Sequence, residues 1–359
     1  MSKEKIPPSK SDEKGAMKDG PTSKSFSAYP TASVGSPPPH GYEFGGPIGA
    51  LLTTCMLPLL TISLTSMAAK GSFLHPFPTS FDEIIPFLCA LFFPVDILRS
   101  LEWSTVGRCA VGLIGWFVLL MFLERTLPHP VALGTVLPTT SNVRLPYRLN
   151  GHLSFWVVLL LIEVGWPASW TVTSDGLSIP VLGRAPLSSL VDVYTETAAA
   201  ACLLSFLFSV YLYVRSASDV PDAPNCPKLR AAGGDTGSPV YDFFLGRELN
   251  PRWFGGTFDL KVFCELRPGL AGWLVLDLAA ACRQRETLGY VTPSMLLLLA
   301  FQGLYVWDAQ YQEEAILTTM DVTTDGFGYM LCFGDLAWVP FTYSLQARYL
   351  AEHDPHLGW

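Results

Sequence analysis

Six carboxylates interrupt an apolar, aromatic stretch that runs from residue 305 to residue 350: Asp308, Glu313, Glu314, Asp321, Asp325 and Asp335. No Lys, Arg or His lies between Glu286 and Ala347. Because an isolated charge is costly in hydrocarbon, such acids must find cationic partners elsewhere in the fold or stay protonated. A buried carboxylic acid is a proton donor, so the stretch is predicted to hold an active site that uses acid chemistry.

Asp335 is the strongest candidate, because it lies inside an apolar segment that is predicted to be helical (327–347). Two interpretations remain for it: a proton donor, or one half of an ion pair with an arginine of the segment 247–267. Asp321 and Asp325 lie in LTTMDVTTDGFG, where they either line the site or cap helix ends at the membrane interface.

A charged segment that is also rich in aromatic residues (238–270) precedes the acidic stretch. Arg247, Arg252 and Arg267 alternate there with acidic side chains. The segment is either a solvated surface loop or a folded cap on the membrane helices. The aromatic content favours the cap, in which these arginines form structural ion pairs or hold an anionic ligand.

The composition indicates a membrane protein. The 359 residues are 50% hydrophobic and only 15% charged, whereas soluble domains carry about 25% charged residues. The net charge of −8 argues against nucleic acid as a partner, since nucleic acid requires a basic face. The eight cysteines form no CxxC pair, and we expect neither a metal site nor a disulfide framework.

The apolar segments predict an all-α fold, a polytopic transmembrane helical bundle of about seven or eight spans in the lipid bilayer. A span needs roughly 20 apolar residues, and the candidate segments are 44–69, 105–123, 153–170, 197–214, 269–282, 293–307 and 327–347. An eighth, 84–98, contains Pro86 and Pro94 and is either a broken helix, a re-entrant segment or a span. Residues 1–40 are rich in Lys, Ser and Pro and are predicted to be a disordered cytosolic tail, with residues 41–359 forming one membrane domain.

Four blocks resemble the signature motifs of the sterol reductase family: GRELNPR (246–252), DLKVFCELRPGL (259–270), EEAILTTMDVTTDGFGYMLCFGD (313–335) and WVPFTYSLQARYL (338–350). The resemblance covers roughly 238–350, with weaker support from YEFGGPIGA (42–50) and LPYRLNG (145–151). The blocks are most similar to the Δ14-sterol reductase branch, which includes the sterol reductase domain of the lamin B receptor.

This resemblance implies NADPH-dependent reduction of the C14=C15 double bond of a sterol in the endoplasmic reticulum membrane. A proton is added to the alkene, and hydride then reaches the resulting cation at C14. The implied catalytic residues are Glu313, Glu314, Asp321, Asp325, Tyr329 and Asp335. The sterol rings would pack against Phe327, Phe333, Trp338 and Phe341.

The resemblance also implies that the family continues beyond the position of Trp359, with further helices and a region that binds the nicotinamide cofactor. We therefore expect this chain to be truncated at its C-terminus, and we assign no cofactor-binding residue. The alternative to an enzyme is a non-catalytic sterol-binding or scaffold relative. A transporter would need polar groups in several helices, whereas the acids here crowd one segment.

Overall fold

The computed structural model describes residues 41–70, 78–137, 144–165, 185–218, 220–221 and 228–353. The predicted tail, residues 1–40, lies outside this part. The first half of the described chain contains seven helices and one two-stranded antiparallel sheet: α1 (Gly46–Lys70), α2 (Phe81–Phe92), α3 (Val95–Ser100), α4 (Trp103–Thr126), β1 (Val131–Leu133), β2 (Pro146–Arg148), α5 (Gly151–Gly165), α6 (Ala185–Asp192) and α7 (Tyr194–Ser216).

The second half adds a second short sheet and a series of helices: α8 (Pro239–Leu245), β3 (Arg252–Trp253), β4 (Phe258–Asp259), α9 (Leu260–Leu266), α10 (Pro268–Leu288), α11 (Pro293–Tyr311), a 3₁₀ helix (Glu313–Thr318), α12 (Met320–Thr323), α13 (Tyr329–Phe333), a π-helical turn (Gly334–Trp338), α14 (Val339–Tyr343) and α15 (Leu345–Leu350). The predominance of helix agrees with the all-α prediction.

In the part of the chain that the structure describes, three helices are long and apolar enough to cross a bilayer, namely α1, α4 and α7. The other predicted spans are also helical where they are described, but residues 166–170 of the span 153–170 lie outside the described residues, and α10 carries Asp277 together with charges in its last turns. The structure thus supports a helical membrane protein with several spans. The larger number of seven or eight spans stays a prediction.

The doubtful segment 84–98 forms two short helices, α2 and α3, that meet at Phe93 and Pro94. Proline has no N–H to donate and disfavours a helical conformation in the residue before it, which explains the break. With 12 residues, α2 is about 18 Å long, well short of the hydrocarbon core of about 30 Å. Neither helix spans a bilayer by itself.

The segment 327–347 is not the single helix that the sequence predicts. Its first helix, α13, begins at Tyr329, and Gly328 occupies the N-cap position. A π-helical turn, Gly334–Trp338, precedes Pro340, and the backbone N–H of Val339 donates to the carbonyl of Gly334. The wider turn accommodates a proline that cannot donate a regular helical hydrogen bond.

The charged segment before α10 is a folded cap, as predicted from its aromatic residues. Tyr241, Phe244, Phe258 and Phe263 are all buried. The cap joins the acidic stretch through backbone contacts, since the Phe327 N–H donates to the Glu248 carbonyl at 2.9 Å.

Two glycine-containing segments allow the cap and the acidic stretch to approach closely. Gly246 has φ +90°, and a Cβ atom there would lie 2.2 Å from the backbone nitrogen of Gly328. A side chain at Gly246 would therefore be both strained and blocked. This contact explains why GRELNPR begins with a glycine and why DGFGYML contains two glycines.

Gly269 allows α10 to contact the π-helical turn, and Gly269→Ala is expected to destabilise the fold. Its Cβ would lie 2.0 Å from the Asp335 carbonyl oxygen, and overpacking of this kind costs about 1–3 kcal/mol. Gly334→Ala is the matched control, because nothing lies within 4 Å of its added Cβ. Thermal unfolding of the purified protein should show a lower midpoint only for Gly269→Ala; equal midpoints would contradict the close approach.

Candidate active site: a buried carboxylate cluster

Helix α9 positions the candidate site, and its first turn is fixed by Asp259. The Asp259 carboxylate accepts a hydrogen bond from the backbone N–H of Val262 at 3.0 Å, which is an N-cap interaction. The same carboxylate lies 3.2 Å from the guanidinium of Arg252. Both contacts anchor the start of α9 to the two-stranded sheet of the cap.

Lys261 connects α9 to the acidic stretch. Its side chain is completely buried, and its ammonium donates to the backbone carbonyls of Asp321 and Asp325, the latter at 2.7 Å. Burial lowers the pKa of Lys261 to about 8. The lysine thus binds the backbone around α12, while the carboxylates of Asp321 and Asp325 remain available for other contacts.

Glu265 lies one helical turn after Lys261, where its carboxyl group is hydrogen-bonded to that of Asp321. Burial raises the pKa of Glu265, and the charge of Asp321 raises it further. The Oε2 atom of Glu265 is inaccessible and has no hydrogen-bond partner in the described structure. Two acids in direct contact favour a state in which they share one proton.

Asp335 completes the cluster from the π-helical turn. Its side chain is 9% exposed, and its Oδ2 atom has no hydrogen-bond partner among the described residues. The carboxyl group interacts electrostatically with Glu265, Asp321 and Lys261. We refer to Glu265, Asp321 and Asp335 as the carboxylate cluster.

The predicted arginines of the cap contact other carboxylates than Asp335. Arg247 pairs with Asp235 at 2.9 Å, and Arg252 pairs with Asp259. Arg267 pairs with Glu313. An ion pair between Asp335 and a cap arginine, the alternative to a proton donor, is therefore not what the described residues show.

Glu313 belongs to a separate polar site. It is 4% exposed, pairs with Arg267 and accepts a hydrogen bond from the Gly151 N–H at 2.7 Å. Arg267 also donates to the Ser154 hydroxyl at 2.9 Å. This acid has no basic neighbour in the sequence, but in the fold it pairs with a cap arginine and accepts a hydrogen bond from the start of α5.

The remaining predicted catalytic residues do not converge on one point. Glu314 is exposed on the 3₁₀ helix, next to the buried Glu313. Asp325 is half-buried and accepts from the Thr324 hydroxyl at 3.0 Å. Tyr329 is fully buried and donates to the Thr54 carbonyl of α1 at 3.2 Å.

The predicted sterol-binding aromatic residues lie in two packing clusters. Phe333, Trp338 and Phe341 pack together with Tyr329, and Phe333 stacks on Tyr329 with ring centroids 5.3 Å apart. Phe327 belongs to a different cluster, which includes Phe258 and Phe263. In this structure Phe327, Phe333 and Phe341 are almost wholly buried by other side chains.

The sequence-based list omits Glu265 and Lys261, although both are central to the site. Their i, i+4 spacing within DLKVFCELRPGL would have placed them on one face of a helix. This spacing does not distinguish a buried site from a set of ion pairs, because the neighbouring charges alternate in sign and suggest ion pairs within the cap. Across the described residues, no group of three or more His, Cys, Asp or Glu side chains is placed to hold a metal ion.

The fold and the cluster define a helical membrane protein with a buried acidic site. Residues 39–359 match the ergosterol biosynthesis ERG4/ERG24 family, so the chain belongs to this family of sterol reductases, and the resemblance in its motifs is confirmed.

Curated relatives agree with this assignment. The Delta(14)-sterol reductase of Neurospora crassa is 39% identical over 351 residues, which cover 93% of this chain and 66% of the relative. Delta(14)-sterol reductase TM7SF2 of Mus musculus is 40% identical, covering 88% of this chain and 66% of the relative. Delta(14)-sterol reductase LBR of Gallus gallus is 37% identical, covering 94% and 46%. The chain thus spans about two thirds of the length of the first two relatives.

Proposed function

We propose that the protein is a Δ14-sterol reductase of the endoplasmic reticulum membrane that uses NADPH to saturate the C14=C15 bond of a sterol intermediate. The observation that carries the proposal is the carboxylate cluster, in which one Asp335 oxygen has no hydrogen-bond partner among the described residues, in a chain whose relatives are named Delta(14)-sterol reductases. Reduction of an isolated alkene by hydride requires that a proton first make one carbon electrophilic. A buried carboxylic acid meets that requirement.

In this mechanism Asp335 donates its proton to the alkene and becomes a carboxylate. The positive charge develops at the other alkene carbon, and the nearby negative charges of the cluster stabilise it. Lys261 does not oppose this effect strongly, because its ammonium is directed at the carbonyls of Asp321 and Asp325. The surrounding apolar core excludes water that would otherwise add to the cation.

A bound nicotinamide cofactor would supply the hydride that neutralises the cation. Its phosphates would require basic side chains, yet Arg247, Arg252 and Arg267 are engaged in ion pairs within the protein. We therefore assign no residue of the described chain to the cofactor. The described residues contribute the proton and the electrostatic environment in which the cation forms.

The activity is tested by expressing the chain in yeast that lacks Δ14-sterol reductase and by analysing the sterols. We expect the Δ14-unsaturated intermediate to be replaced by a product with two additional hydrogens. Purified protein with NADPH and this intermediate should give the same conversion. Sterol binding without conversion would instead indicate the non-catalytic sterol-binding relative and would contradict the proposed activity.

A further inference from the structure

Glu265 and Asp321 are the members of the carboxylate cluster that have no role in the proton transfer from Asp335 to the alkene. Glu265 is hydrogen-bonded to Asp321, it interacts electrostatically with Asp335, and its inaccessible Oε2 atom has no partner among the described residues. Within the same part of the chain, Asp335 likewise has a buried oxygen without a hydrogen-bond partner. Glu265, Asp321 and Asp335 carry like charges when they are ionised, so a proton retained within the cluster reduces their repulsion.

We propose that Glu265 and Asp321 share one proton and return it to Asp335 after each turnover, which makes Glu265 a positioning residue for proton delivery. This inference rests on the proposed function, in which Asp335 gives up its proton to the alkene. Glu265 thereby takes part in the reaction, whereas the sequence motifs alone suggest only an ordinary charge of the cap.

The exposure of the three acids sets the direction in which a proton moves from water through Asp321 and Glu265 to Asp335, a path that we call the relay. Asp321 is half-buried, whereas Asp335 is almost wholly buried. Water can therefore protonate Asp321, while Asp335 depends on its neighbours. Glu265 lies in contact with the first and acts electrostatically on the second.

The surroundings of Glu265 favour a retained proton. Its charged and titratable neighbours come from α9 and its N-cap, from α12 and from the π-helical turn: Asp259, Lys261, Cys264, Asp321 and Asp335. Lys261 is the cation of this set, and its ammonium is hydrogen-bonded to backbone carbonyls. The acids thus outnumber the positive charge near them, and a shared proton reduces their repulsion.

The transfer balances without a further reactant. Asp335 loses a proton to the alkene carbon and carries a negative charge. The Glu265–Asp321 pair then loses its shared proton to Asp335, which breaks one O–H bond and forms another. Water returns a proton to Asp321, and no oxidant or reductant takes part in the relay.

Infrared difference spectroscopy between neutral and alkaline pH tests the shared proton directly, without any need for turnover. In the wild-type protein, reconstituted in lipid nanodiscs, we expect a protonated-carboxyl C=O band that disappears at alkaline pH. Glu265→Gln and Asp321→Asn should each lose the component of this band that belongs to the shared proton and keep the component that belongs to Asp335. Both components should persist in Asp308→Asn, because Asp308 is an exposed acid on α11. An unchanged band in Glu265→Gln would overturn the inference.

Kinetics test whether the pair serves the reaction. Glu265→Gln should lower kcat by about 10²-fold and leave KM for the sterol unchanged. The alkaline limb of its pH–rate profile should move to lower pH, because the variant lacks the carboxyl group whose pKa burial raises. Glu265→Asp, which keeps a carboxyl group, should recover part of the rate. A change in KM alone would overturn the relay.

The two experiments separate this inference from the proposed function. If the infrared band depends on Glu265 but the protein converts no sterol, the shared proton stands and the proposed activity fails. If the protein reduces sterols and Glu265→Gln matches the wild type in rate and pH profile, the activity stands and the inference fails. Thermal unfolding of Glu265→Gln and Glu265→Asp identifies any loss of rate that is due to misfolding.

Discussion

Asp335→Asn is expected to abolish sterol reduction while leaving the protein folded. The amide has nearly the same shape as the acid but no acidic proton, and the loss of a general acid typically lowers the rate by about 10²- to 10⁴-fold. The Asp335 Oδ2 atom makes no hydrogen bond with the described residues, so the substitution breaks no contact at that atom. The measurement is the rate of conversion of a Δ14-unsaturated sterol by purified protein.

Asp308→Asn provides the matched control for this experiment. It makes the same change in an exposed carboxylate on α11, in the same acidic stretch, and it should keep the wild-type rate. Equal thermal midpoints for the two variants would show that any loss of activity is chemical. Normal turnover in Asp335→Asn would remove Asp335 as the proton donor and leave it a structural role.

Arg267→Met is expected to give the largest loss of stability among the substitutions considered. It removes the guanidinium from a pair in which the side chains are 4% and 5% exposed, and it leaves Glu313 buried without its cation. Breaking such a buried pair from one side costs about 3–5 kcal/mol. The measurement is thermal or denaturant-induced unfolding in detergent, together with the yield of monodisperse protein.

Two further variants show whether burial is the cause. The double variant Arg267→Met/Glu313→Gln should recover part of the stability, because no unpaired charge remains in the interior. Arg108→Ala disrupts the pair with Glu102, whose side chains are 69% and 67% exposed, and it should leave unfolding unchanged. If Arg267→Met and Arg108→Ala behaved alike, the buried pair would contribute nothing to stability.

The sequence alone determines that this is a helical membrane protein with an acidic site. Low charge content and long apolar segments follow from composition, and the helices α1, α4 and α7 appear close to the predicted segments. The motifs between residues 246 and 350 were sufficient to identify the family. These properties depend on residue type and local spacing, which a single sequence displays directly.

Local spacing in the sequence does not fully determine where a helix breaks or how it continues through a proline. Pro94 and Pro340 both signal a disturbance of regular helix, yet one separates two short helices and the other follows a π-helical turn. The surrounding packing decides between these outcomes, since it determines whether the chain must continue through the proline in the same direction. The Gly269 contact with the Asp335 carbonyl is part of that packing.

Only the tertiary structure decides which acids form a site. Glu313 and Asp335 look alike in the sequence, since both are acids in a stretch without basic residues. The fold places Arg267 beside Glu313, whereas it places Glu265 and Asp321 near Asp335. The physical reason is that α9 and α10 meet at residue 267, so that neighbouring residues of one short segment face different parts of the acidic stretch. Pairing between distant segments depends on this geometry, which no local pattern in the sequence records.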